Sequence, residues 1–231
     1  MIAAAIAGCA NPAAPPSSAV TAGPIATTTP AASAAVRSIE DAGLETPMVA
    51  GAYESRLFEP ALRLELGEGW FRRDAGGART LNLRRAPDGA ADVTFISGVD
   101  FLQCGTDPVV TKPDARTIVD AITASAKLTS TAPVNVPVGD LAGIEIRLAG
   151  GGAPVPDEDF GKANEYGCVM TIGDAPFPAE ALWVMATQAD VLQLVVVDVA
   201  GTTVLIRGRG DRDDEAHFDL VLDLLAGISL G

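Results

Sequence analysis

The run Val191-Leu192-Gln193-Leu194-Val195-Val196-Val197 constrains the fold more than any other stretch of the chain. Its β-branched residues favour extended backbone, because two heavy atoms on Cβ restrict rotamers on a helix but pack well on a pleated surface. With Gln193 its one polar member, the run leaves no face for water. The spacing therefore predicts a strand buried on both faces, central in its sheet and in the middle of the fold.

The segments around it read as further strands. Leu62, Leu64 and Leu66 alternate with polar residues and share one face, as do Leu81 and Leu83. Gly67 to Gly69 and Ala86-Pro87-Asp88-Gly89 are turn signals, and Asp92 to Ile96 forms the next strand of an antiparallel meander. Later strands are expected at Val134 to Val138, Ile144 to Leu148, Cys168 to Ile172, Leu182 to Thr187 and Thr202 to Ile206.

Two segments carry helical spacing instead. After Lys112-Pro113-Asp114, the residues Ile118, Val119, Ile122 and Ala126 recur at intervals of three and four. From Asp213 to about Ala226, Phe218, Val221, Leu222 and Leu225 form an apolar stripe, with three acidic residues in the first turn where the helix dipole favours them. The order strands, helix, strands, helix gives an α+β class: a twisted antiparallel sheet of roughly 8–10 strands with two packed helices.

From residue 10 to 50 the composition changes to Ala, Pro, Ser and Thr, as in Asn11-Pro12-Ala13-Ala14-Pro15-Pro16. Such a stretch buries too little apolar surface to order itself. It is expected to be a disordered linker ahead of a single domain over residues 51–231.

Ahead of the linker, Ile6-Ala7-Gly8-Cys9 resembles a bacterial lipobox. The resemblance implies that residues 1–9 are the end of an export signal and that the Cys9 thiol carries a diacylglyceryl group. The protein would then sit on the extracytoplasmic face of the cell membrane, held by two acyl chains, which suffice for stable anchoring. No Lys or Arg occurs before Arg37, so the charged part of the signal, and the genuine start, are expected roughly ten to twenty residues upstream of Met1. No apolar run approaches the roughly 18 residues of a membrane-spanning helix, which leaves attachment to Cys9.

Once Cys9 is assigned to lipid, Cys104 and Cys168 remain. They either pair, as an oxidising compartment allows, or stay as two buried thiols. Acidic residues outnumber basic ones by 30 to 16, giving a net charge of −14. That field repels phosphate backbones and excludes nucleic acid as a partner class; it also disfavours a peripheral electrostatic hold on anionic lipid.

Phe58-Glu59-Pro60 through Leu66-Gly67-Glu68-Gly69-Trp70, the turn Val138-Gly139-Asp140-Leu141-Ala142-Gly143, and the final hairpin and helix resemble the Mog1/PsbP-like fold of small exported and lipid-anchored proteins. The likeness covers most of residues 53–230. It implies a binding or assembly role without catalysis.

Candidate sites are few. His217 has no nucleophile elbow to serve and is expected to be an exposed helical residue balanced by neighbouring carboxylates. Gly208-Arg209-Gly210-Asp211-Arg212-Asp213 imitates a dinucleotide fingerprint but places carboxylates where a pyrophosphate would lie. Asp211, Asp213 and Glu215 imitate the start of a calcium loop without its glycine or its closing Glu, and Asp157-Glu158-Asp159 is a second acidic cluster. In both, solvation of acidic loops is the stronger reading.

Trp70, Phe71, Phe95, Trp183 and Phe218 are assigned to core packing. If a ligand site exists, the Gly/Pro-rich loop from Gly150 to Glu165 is the place to look, because loops on a rigid sheet often carry function. No cofactor or metal is implied. The residues thus point to a lipid-anchored binding protein of the cell envelope, with an envelope protein or a small molecule as partner. An extracytoplasmic hydrolase with an unrecognised site is the competing class.

Overall fold

The computed structural model describes residues 35–85, 91–105, 107–149, 167–172, 182–184, 190–211 and 216–231. All of them lie in one compact unit, Ala34–Gly231. Along the chain run β1 (Arg37–Ser38), β2 (Gly51–Ser55), β3 (Leu62–Leu66), β4 (Trp70–Arg72), β5 (Thr80–Arg85) and β6 (Ala91–Ser97). Next come β7 (Phe101–Cys104), β8 (Val110–Thr111), α1 (Ala115–Ala124), β9 (Thr129–Ser130), β10 (Val134–Val138) and β11 (Leu141–Ala149). The second half adds β12 (Cys168–Thr171), β13 (Leu182–Val184), β14 (Asp190–Val199), β15 (Thr202–Asp211), α2 (Ala216–Ala226) and β16 (Ile228–Leu230).

The strands form three sheets. The largest follows the order β10-β11-β14-β15-β6-β5-β4, with β9 paired to β11. As the apolar run requires, β14 lies inside this sheet, antiparallel to β11 and to β15. Its alternate residues feed two different cores. Leu192, Leu194 and Val196 pack with α1 and with the sheet β13-β12-β7-β8. Val195, Val197 and Val199 pack with α2 and with the sheet β1-β2-β3-β16. The architecture is α+β, mostly antiparallel, with one helix on each face of the central sheet.

Local chemistry explains the first helix. The Asp114 carboxylate accepts the Thr117 N–H at 2.7 Å as an N-cap, and Ile118, Val119 and Ile122 are fully buried. The helix stops at Ala124, so Ala126 falls beyond it.

Ordered packing starts well before residue 51. Ile39 is fully buried, Met48 is 4% exposed, and β1 pairs with β2 in parallel. Residues assigned by composition to the linker thus form a strap along the first sheet, because isolated apolar side chains within it find tertiary partners. Residues 10–34 lie outside the described residues.

Candidate functional site

A cleft of about 460 Å³ opens at one end of the central sheet. Five separate segments build it: Glu59 and Pro60 between β2 and β3, Arg79 before β5, the β6–β7 connection, Lys112 and Pro113 ahead of α1, and the β14–β15 turn. Volumes of this order suit small ligands or a few residues of a partner chain.

Its floor is held by Arg79. The guanidinium donates from Nε to the Ser97 carbonyl at 3.0 Å, from Nη2 to the Gly98 carbonyl, and from Nη1 to the Asp100 carboxylate at 2.7 Å. Gly98 permits this because a Cβ there would lie 2.6 Å from Arg79 Nη2, and its φ of +67° suits glycine.

The walls carry backbone strain. Lys112 and Ala200 are held at φ of +45° and +49°, a region that costs a residue with a Cβ about 1–2 kcal/mol. Lys112 has two causes at hand: its N–H donates to the Asp100 carbonyl at 2.8 Å, and the following Pro113 disfavours right-handed helical backbone. Ala200 and Gly201, both at positive φ, close the β14–β15 hairpin with the handedness that matches strand twist.

Beneath the turn, Asp198 couples the hairpin to α1. Its carboxylate accepts the Ala115 N–H at 3.0 Å and the Thr203 hydroxyl at 2.7 Å, with the Pro113 carbonyl 2.9 Å from the same hydroxyl. A carboxylate at a helix N-terminus is favoured by the unpaired N–H groups there. Sequence reasoning passed over Asp198; the available signal was one acidic residue directly after an unbroken apolar run.

The floor of this cleft is built from groups engaged with one another. The charges of Lys112 and Glu59 stand exposed at the rim. Such a site can hold a polar ligand by shape, by hydrogen bonds to turn backbone and by two rim charges of opposite sign. A second groove of about 480 Å³ lines the N-terminal strap. Its polar groups fasten the strap itself: Arg37 Nη1 donates to the Val49 carbonyl at 3.2 Å, and the Tyr53 hydroxyl donates to the same carbonyl at 2.7 Å.

The structure places the other candidate residues as follows. Cys104 and Cys168 are disulfide-bonded between β7 and β12, directly opposite each other with Cα atoms 4.1 Å apart. The flanking Gly105 N–H to Gly167 carbonyl bond marks them as a non-hydrogen-bonded pair, where antiparallel strands approach closest. His217 is fully buried rather than exposed, with its ring centroid 3.7 Å from that of Phe218. It precedes Val221 by one helical turn, so it belongs to the face of α2 that meets the sheet.

Gly208 to Gly210 continue β15 and make no strand-to-helix turn. A Cβ at Gly208 would lie 2.9 Å from the Val221 side chain, so the glycine lets α2 sit close. Trp70, Phe95 and Phe218 are buried in cores, while Phe71 is half-buried. Cys9, the loop Gly150 to Glu165 with Asp157-Glu158-Asp159, and Asp213 and Glu215 lie outside the described residues, as does the Trp183 side chain.

No family model matches the chain, and no curated protein matches it. Among solved structures it is similar to a protein from Bacteroides thetaiotaomicron VPI-5482, with a TM-score of 0.40 and 6% identity over 74% of this chain. The chain spans 45% of the length of that protein. It is also similar to cyanobacterial PsbP (CyanoP) from Synechocystis sp. PCC 6803, with a TM-score of 0.39, 10% identity, and coverage of 80% of this chain and 95% of that one. Both are similarities of fold.

Proposed function

We propose that the chain is an extracytoplasmic binding protein, tethered through a lipid on Cys9, that captures an envelope protein or a small polar ligand in the cleft beside Lys112 and Ala200. The observation that carries the reading is the cleft itself: an open cavity with a mutually satisfied floor and strained walls. Non-glycine residues at positive φ persist only where surrounding structure enforces them, and they concentrate at binding sites. Support for the compartment comes from the Cys104–Cys168 disulfide, since such bonds persist where thiols are not kept reduced.

The test is a photo-crosslinking residue placed at Thr202, on the cleft, and separately at Glu54, exposed on β2, in the full chain within its native envelope. We expect a discrete adduct from Thr202 that is absent from Glu54, and that is lost when K112A and E59A are combined. The same adducts from both positions, or none from Thr202, would count against the cleft.

A further inference from the structure

The opposite end of β6 carries a different concentration of charge. Pairing register sets Arg84 and Arg209 on either side of Asp92, and Asn82 and Arg207 on either side of Thr94. Positions two apart on a strand share a face, so these two rows lie side by side on one face of β5, β6 and β15. Arg73, just past β4, joins them through an ion pair from Nη1 to Asp92 at 3.0 Å. Among the described residues, four arginines therefore gather about one aspartate, in a chain that has only 16 basic residues against 30 acidic ones.

Among the described carboxylates, Asp74, next to Arg73, is committed to other donors. Asp74 accepts the Gly76 N–H at 2.9 Å and the Asn82 side-chain amide.

Within the group, Arg207 is half-buried and donates from Nη2 to the Thr94 hydroxyl at 3.3 Å, while its buried Nε has no hydrogen-bond acceptor. Burial holds its pKa below the ordinary arginine value; the positive charges of Arg209 and Arg73 push the same way and Asp92 opposes them. The cations repel one another, and a donor stands open.

We propose that the arginines at 73, 84, 207 and 209 form a binding site for a small phosphate-class oxyanion, either free or as the phosphate group of a compact ester. Guanidinium forks match tetrahedral oxyanions and make charge-assisted bonds to them. The chain's net negative charge opposes anions at long range, but salt screens that field beyond about 8–10 Å, so the local excess decides.

The test uses the full chain carrying C9S, which keeps it off membranes by removing the acylated thiol. Inorganic phosphate is titrated at low salt and followed by NMR. We expect saturable binding that weakens at least about tenfold in R84Q/R209Q, both exposed positions, and is unchanged in R63Q on β3. An unaltered melting temperature for R84Q/R209Q confirms that it folds, and R73Q provides an independent second variant. Flotation with phosphatidylglycerol vesicles, against phosphatidylcholine, distinguishes a lipid-borne phosphate from a free one. Saturable phosphate binding without flotation supports the site as a small-anion site, and binding with arginine-dependent flotation assigns its phosphate to lipid. Absence of saturable binding, or equal weakening in R63Q, overturns the proposal.

Discussion

Glu40 fastens the N-terminal strap to the body of the domain. Its carboxylate accepts the Ser38 hydroxyl at 2.7 Å, the Ser55 hydroxyl at 2.5 Å and the Arg56 N–H at 3.0 Å. Burial alone would raise its pKa, but these hydrogen bonds outweigh it and bring the value from 4.5 down to about 2. A carboxylate whose folded-state pKa is depressed stabilises the fold above the unfolded value, and the stabilisation disappears as pH falls from about 4.5 to about 2. E40Q should therefore cost about 1–3 kcal/mol at pH 7 and flatten the dependence of stability on pH across that window. Urea unfolding midpoints at pH 7, 4 and 2.5 check this; parallel curves for E40Q and the parent would contradict it. Such a residue is hard to read from sequence, because Ser38 is its neighbour along the chain but Ser55 and Arg56 join it only when β1 pairs with β2. Gly139 is similar: the turn it forms was legible, but a Cβ there would lie 2.0 Å from the Ile228 carbonyl oxygen, a contact that exists only after β16 docks.

The disulfide is the strongest single constraint among the elements. It joins β7 to β12 across a separation of 64 residues and so locks the sheet that covers α1's side of the core. In the chain-entropy description a loop of that size is worth about 4 kcal/mol. C104S/C168S, or reductant on the parent, should lower unfolding stability by about 3–4 kcal/mol in urea titration. An unchanged midpoint would show that the bond adds nothing. Long elements with clean periodicity were the legible ones: β14 from its apolar run, α1 from its cap and stripe, β3 and β5 from alternation. β7 was not, since Phe101-Leu102-Gln103-Cys104 is short and its strand character comes from pairing with β12. The burial of His217 followed the same logic, for a polar residue on an apolar stripe reads as a boundary until the helix is docked.

At the scale of the molecule, two cores lie on opposite faces of one sheet, and charge and strain collect toward its ends. The cleft at one end draws on Glu59, Arg79, Gly98, Lys112 and Ala200, far apart in sequence and part of no motif, so only the fold brings them together. The arginine rows at the other end were equally hidden, because register and not spacing aligns Arg84, Asp92 and Arg209. The proposed compartment rests on other signals: the lipobox-like Cys9 motif, and the Cys104–Cys168 disulfide, which is compatible with an extracytoplasmic location. The central claim joins these: an exported, oxidised domain carried on a lipidated N-terminus. Intact mass of the protein taken from the native envelope, expressed from its full upstream reading frame, measures both parts at once. We expect a chain that begins at Cys9, carries acyl mass there and lacks two hydrogens for the Cys104–Cys168 bond. A retained N-terminus with unmodified Cys9 and both other thiols free would contradict it.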